Sequence, residues 1–239
     1  MKRWLTLAML TVAVSLTLSN IAYAQLNDDF ELNLFGGGSI HTKNRYEIGF
    51  PQSITPITGE FKLDEAIRYG VRVNVYTRGH WGEEFFYSFE PNTAHFIRRR
   101  TPPSSLDLDV QVHNAGVNAM YYLQEDETRR TRTFLSVGLG ATIYEPTQKA
   151  RAIARDPLRG NLQDMDSSRE IALNYGVGFK SRISDHVAFR LDIRGFTGRN
   201  PSFGFARESN DPNATVFPNT GVIFNGEASA GLIFYFKKR

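Results

Sequence analysis

The sequence predicts an all-β fold, an eight-stranded antiparallel up-and-down barrel that crosses a membrane. Three observations carry it. From Ile171 to Ile183 the odd positions hold Ile171, Leu173, Tyr175, Val177, Phe179, Ser181 and Ile183; the even ones hold Ala172, Asn174, Gly176, Gly178, Lys180 and Arg182. After the break Ser184-Asp185-His186 the same phase resumes, with Val187, Phe189, Leu191 and Ile193 against Ala188, Arg190, Asp192 and Arg194. Such alternation on both sides of a tight break is a β-hairpin pattern. The strands also run past the usual length to the roughly 9–11 residues that a tilted strand needs to cross a bilayer. Finally, one face is apolar and aromatic, while the other carries charges and glycines.

The other strands follow the same pattern. Phe30 to His41 places Phe30, Leu32, Leu34 and Ile40 on one face and Glu31, Asn33 and Ser39 on the other. Gly36-Gly37-Gly38 inside it lacks the Gly-Lys-Ser/Thr of a phosphate loop and reads as a bend in a barrel wall. Ile67 to Val75 and Trp81 to Phe89 form a second hairpin around Thr77–His80, with Glu84 and Ser88 opposite the aromatic face. Leu106, Leu108, Val110 and Val112 then alternate with Asp107, Asp109, Gln111 and His113, after which the apolar phase slips to Ala115, Val117, Ala119 and Tyr121. A slip of one residue turns a strand inside out, so a β-bulge near His113 and Asn114 is expected. Thr133 to Ile143 follows, then the opening hairpin, then Val222 to Phe236. The connections at 42–65, 90–105, 145–168 and 199–221 are long and those between them short, as when short turns face the periplasm and long loops the exterior.

The amino terminus has a different character. Met1-Lys2-Arg3, an apolar run from Trp4 to Leu18 and Ala22-Tyr23-Ala24 make a secretory signal peptide over residues 1–24, cleaved before Gln25, with the barrel over 25–239. The apolar run falls short of a spanning helix. Without Lys2 and Arg3, the formal charge drops from +3 to +1, with 26 basic against 25 acidic residues. Nucleic acid is therefore not an expected partner, because the basic residues do not gather on one surface and the chain is exported. With no cysteine, neither disulfides nor thiolate metal sites are expected.

Alternation alone does not separate a membrane barrel from a soluble one, which is its inside-out counterpart. Glycine placement does. Gly70, Gly138, Gly140, Gly176 and Gly178 share the charged face, where a narrow eight-stranded lumen needs small residues beside large ones. The charged face is thus expected inside, with Arg68, Arg72, Glu84, Glu170, Lys180, Arg190, Asp192, Arg194 and Glu227 as a network of both signs. Burial of such groups is costly unless they pair, so a paired plug is expected before a conducting lining.

With these features the chain resembles the outer-membrane β-barrel superfamily of the OmpA transmembrane domain. The resemblance rests on Tyr175-Gly-Val-Gly-Phe179, on the segment from Asp185 to Arg194, and on the closing Gly231-Leu-Ile-Phe-Tyr-Phe236. It covers nearly all of the chain after residue 24, without the peptidoglycan-binding domain of many relatives. It implies residence in a bacterial outer membrane and a terminal aromatic, Phe236, read by the barrel insertion machinery; here Lys237, Lys238 and Arg239 follow it.

Barrels of this kind serve as anchors, adhesins, pores and enzymes. The expectation is a non-enzymatic, monomeric protein without metal or cofactor, structural in the envelope or presenting surface loops to ligands; a narrow channel for small solutes is the alternative. A lipid A-modifying enzyme is the catalytic rival, with His113 near Asp107, Asp109, Ser104 and Ser105, but spacing fixes no serine beside that histidine. A lumen hydrogen bond is the expected role of His113. His41, His80, His95 and His186 stand singly near strand ends, without metal-ligand spacing. Arg98, Arg99 and Arg100 are candidate contacts for lipopolysaccharide phosphates. The sequon at Asn213 marks an exposed loop.

Overall fold

The computed structural model describes residues 30–42, 44–48, 57–98, 104–124, 129–156, 164–206, 215–216 and 221–236. The signal peptide, Arg99, Arg100 and the Asn213 sequon lie outside them. In chain order the strands are β1 (Phe30–His41), β2 (Asn44–Ile48), β3 (Ile57–Leu63), β4 (Ala66–Arg78), β5 (Trp81–Arg98) and β6 (Ser104–Tyr122). Then come β7 (Thr131–Pro146), helix α1 (Gln148–Arg155), β8 (Ser168–Arg182), β9 (Val187–Arg199), β10 (Thr215–Val216) and β11 (Val222–Phe236).

Eight long strands close an antiparallel barrel in the order β1, β4, β5, β6, β7, β8, β9, β11. Pairing of β11 with β1, from Phe236 opposite Phe30 to Asn225 opposite His41, completes the ring. Closure leaves no backbone edge facing lipid, where an unpaired amide is costly. The outer wall is apolar: Ile67, Leu139, Ile171 and Ile193 are 64–72% exposed. The glycine face is inward. A Cβ on Gly138 would lie 1.9 Å from the Val117 carbonyl oxygen and 2.6 Å from Asn118 Cα, so the coiled wall closes only over a bare backbone there. In the β4–β5 turn, Gly79 takes a φ of +57°, a left-handed conformation that glycine adopts without strain.

Beyond the membrane the wall continues. Pairing of β4 with β5 ends at Tyr69 opposite Phe89, and β3 takes its place from Leu63 opposite Ala94 to Gly59 opposite Arg98. β2 pairs with β3, and β10 with β2. Part of the stretch expected as connection, Ile57–Leu63, is thus strand, and β5 runs nine residues past Phe89. The expected loop after Glu145 contains α1. Thr147 caps it, its hydroxyl accepting from the Ala150 amide at 3.1 Å, and Ala150 and Ala154, one turn apart, are buried.

The expected bulge in β6 is absent. The register with β5 and with β7 runs without a shift through His113 and Asn114. Even-numbered residues point inward along the whole strand, from Leu106 to Tyr122. What changes is the surroundings. In the membrane the inward positions are Asn114, Gly116 and Asn118 and the outward ones are apolar. Above it, Leu106, Leu108, Val110 and Val112 line an apolar interior, while Asp107 and Asp109 face water. That interior joins Phe61, Leu63, Phe96, Tyr144, Met165 and Phe203 in one cluster. Phe203 sits at its centre, its ring centroid 5.5, 6.2 and 6.3 Å from those of Phe61, Phe96 and Tyr144. Its φ of +51° costs a bulky residue about 1–2 kcal/mol, which complete burial against three rings offsets.

This inversion makes a test. Val110→Asp puts a carboxylate into the cluster and is expected to destabilise the folded protein by about 3 kcal/mol or more in urea titrations. Asp109→Val loses only an exposed 3.8 Å contact with Lys149 and is expected to stay within about 0.5 kcal/mol of wild type. A bulge at 113–114 would make the two costs exchange places.

Candidate functional site

The lumen is the densest collection of chemistry in the molecule. Arg68, Arg72, Lys180, Arg190 and Arg194 meet Glu31, Glu84, Glu90, Asp192 and Glu227, and each of these side chains belongs to a residue at most 5% exposed. Period-two geometry explains how they gather. Arg190, Asp192 and Arg194 stand at alternate positions on β9, so all three project into the lumen. β5 lies four places from β9 around the ring of eight, so Glu84 faces them across the diameter.

The arginines and their carboxylates form one chain of braces, with Lys180 and Glu31 as a separate pair beside it. Arg194 holds Glu84 with two guanidinium nitrogens at 2.6 and 3.1 Å, and Arg190 donates to the same carboxylate at 2.7 Å. Asp192 accepts from Arg190 at 2.8 and 2.9 Å, from Arg194 at 2.9 Å and from Arg72 at 3.2 Å. Arg72 continues to Glu227 at 2.6 Å and stacks 3.5 Å over the Phe35 ring. Arg68 links Glu227, at 3.3 Å, to Glu90, at 2.6 Å. Nearer the periplasm, Lys180 pairs with Glu31, which also accepts from Asn74 at 3.2 Å.

Both ends of this polar layer are apolar or aromatic. Met120, Tyr122 and Phe134 pack on the periplasmic side, with Arg190 stacked 4.4 Å over Phe134. A further buried cation, Arg132, stacks 4.1 Å over Tyr122 and donates to the Gln124 carbonyl at 3.1 Å. The extracellular cluster closes the other end. A depression of about 630 Å³ opens instead on the wall beside Gly36, Val177, Phe179, Ile193 and Ala230.

Of the expected network, Arg68, Arg72, Glu84, Lys180, Arg190, Asp192, Arg194 and Glu227 converge. Glu170 stands apart. It is half-buried at the extracellular end of β8 and accepts from Ser168 Oγ at 2.9 Å. Glu31 and Glu90 belong to the network although neither was singled out in the sequence. The signal for Glu90 is parity: it continues Glu84 and Ser88 along β5, past Phe89, the last residue of the expected strand. His113 is not in the lumen. With no bulge, its odd position faces outward, where Nδ1 lies 2.8 Å from the Tyr87 hydroxyl and its register neighbours are Phe89 and Ile143. Phe236 faces outward at the periplasmic end, 5.9 Å from Phe30 between ring centroids. Arg98 ends β5.

Outside the membrane one histidine is tightly held. His95 on the extension of β5 has Nδ1 2.7 Å from Asp107 Oδ1 and Nε2 2.8 Å from Asp64 Oδ2. Lys62 Nζ lies 4.0 Å from the same Asp64 carboxylate. Partial burial opposes charge on the ring, but the hydrogen bonds and charges of Asp64 and Asp107 outweigh it, and the pKa rises above the ordinary 6.5. Asn92 latches the same corner, accepting from the Asp64 amide at 2.9 Å and donating to its carbonyl at 3.0 Å.

Two outcomes are expected. Removing one side of a buried ion pair costs about 3–5 kcal/mol, more than the pair is worth. Glu84→Gln and Arg194→Gln should each destabilise on that scale, while the double variant costs less than their sum by at least about 1 kcal/mol in a folding cycle. Strict additivity would mean the braces do not bear on stability. For His95 the raised folded-state pKa means its contribution is complete below about 6.5, the unfolded value, and fades as pH rises through the folded value. Amide protection in β3, corrected for intrinsic exchange, should therefore fall across that window, and His95→Asn should flatten the profile.

The chain matches the family model described as the outer membrane protein beta-barrel domain over residues 9–218. Among solved structures it is similar to the outer membrane protein OprG of Pseudomonas aeruginosa: TM-score 0.59 at 12% identity, covering 89% of this chain and 97% of that one. It is also similar to the outer membrane protein AlkL, with a TM-score of 0.53 at 14% identity, covering 89% and 92%. No curated protein sequence matches it. Identities this low speak for the fold alone, but the family match spans most of the sequence: the chain belongs to the outer membrane protein β-barrel family, and its place is the bacterial outer membrane.

Proposed function

We propose that this protein is a non-enzymatic outer-membrane anchor whose extracellular extension presents its loops to ligands or ties them to the envelope. The observation that carries this reading is the filling of the lumen: an ion network reaching from β5 to β9 across the barrel, with apolar clusters above and below it. A path for solutes would have to break pairs such as Arg194–Glu84, each side of which is costly to leave unpaired. The extension of β3, β5, β6 and α1 also has a packed interior of its own, as a platform for loops requires. Insertion through the terminal aromatic Phe236, contact with outer-leaflet lipid and a monomeric state belong to the same proposal.

A narrow channel is the second reading, and one observation favours it. Asn118 Oδ1, both polar atoms of Asn174 and one terminal nitrogen of Arg190 are buried without a partner among the described residues, which calls for water in the lumen. The enzyme reading draws less support, because His113 is spent on Tyr87 and its register neighbours are apolar.

Conductance in planar bilayers separates the readings. The anchor predicts no discrete open states for the wild-type protein. Reproducible steps whose size changes in Glu227→Gln would transfer the assignment to a channel.

A further inference from the structure

Among the described residues, two sets of basic residues on the extracellular side contrast. On and around α1 each finds an acid: Lys149 lies 3.8 Å from Asp109, Arg151 3.8 Å from Asp166 and Arg155 2.5 Å from Asp164. Lower on the wall, Arg169 of β8 and Arg199 of β9 are exposed and make no hydrogen bond or ion pair among the described residues.

Their height on the barrel is informative. Outward-facing side chains of β8 run from Ser181 through Phe179, Val177, Tyr175 and Leu173 to Ile171. Ten steps of about 3.3 Å at a tilt of about 40° span roughly 25 Å, the height of the apolar band of such barrels. Arg169 is the next outward residue above Ile171. Arg199 stands level with Ile171, one step beyond the Ala172–Gly198 pair, and opposite Val222 on β11. Ile171 and Val222 are 70% and 60% exposed and face lipid. The two arginines therefore flank the edge of the apolar band on adjacent strands. As diagonal neighbours they stand roughly 7–8 Å apart, close enough for both long side chains to reach one anion. Glu145, an exposed carboxylate two residues above Ile143 on the neighbouring β7, pairs with neither among the described residues.

We infer that Arg169 and Arg199 form a binding site for the phosphate group of an outer-leaflet lipid. Two unpaired guanidinium groups side by side repel each other, and a phosphate at the membrane surface relieves that repulsion while accepting their charge-assisted hydrogen bonds. The lipid chains then lie along the apolar wall of β8, β9 and β11 beneath it. The site depends on the membrane position of the barrel and not on whether its lumen conducts. It also places the lipid contact on the wall of β8 and β9, away from Arg98 at the end of β5.

The test uses the full chain folded in detergent, with bound lipid counted by native mass spectrometry. The probes are bis-phosphorylated lipid A, the same lipid without its phosphates, and inorganic phosphate. Each surface cation contributes about fivefold in binding, so the wild-type protein should prefer the phosphorylated lipid by about 30-fold. Arg169→Gln or Arg199→Gln should each lose about fivefold, R169Q/R199Q should lose the preference, and R169K/R199K should keep most of it. Heat-modifiable gel migration checks folding, and if the double variant fails to fold, the two single variants carry the same comparison. Unchanged preference in folded glutamine variants would overturn the proposal. So would displacement of the lipid by millimolar inorganic phosphate, which would make the site one for the free anion.

Discussion

The charged side chains taken out of water inside a bilayer, eleven among the described residues, constrain everything else in this fold. Any of them left alone would cost a large share of the stability of a barrel of this size. They are tolerable because each meets partners, some on the same or the neighbouring strand, as for Arg190–Asp192 and Arg68–Glu90, and others across the lumen once the barrel is closed. Glu84 and the arginines of β9 are the clearest case: the strands that carry them touch nowhere in the sheet, yet their side chains meet at 2.6–2.7 Å. For these cross-lumen pairs, closure and charge pairing are one event. Register is held by the same means, because a slip of one residue in β9 would turn Arg190, Asp192 and Arg194 toward lipid.

The layering around this network follows from what charges need. Aromatic rings and methionine on the periplasmic side and the Phe203-centred cluster on the extracellular side limit water, which lowers the local dielectric and strengthens each pair. They also explain the glycines. A lumen holding five guanidinium or ammonium groups and five carboxylates has no room for side chains on every inward position, and Gly138 gives its place to the backbone of β6.

The outer surface changes character where the membrane ends. Below that line apolar side chains face lipid; above it, carboxylates and amines pair in water, and the strands enclose an ordinary hydrophobic core. The protein is therefore two interiors on one set of strands, polar in the bilayer and apolar beyond it. β5 and β6 belong to both, so the extracellular platform is braced by the barrel rather than tethered to it.

By itself the sequence determined the barrel. Period-two alternation from Ile171 to Ile193, the strand lengths, and glycines sharing a face with charges depend only on local geometry and on which side is apolar, so they are readable residue by residue. The same parity put Arg190, Asp192 and Arg194 together. What only the tertiary structure decided was anything that depends on height or on distant partners. Parity names a face but not its surroundings, so the switch along β6 suggests a bulge where the strand in fact leaves the membrane, and suggests the lumen for His113, which lies on the outer wall. Glu170 shares its parity with Lys180 but sits too high to join the network, while Glu90 and Glu31 belong to it through Arg68 and Lys180, residues 22 and 149 positions away in the chain. Pairing across a lumen follows from closure of the ring, and that is a property of all eight strands together.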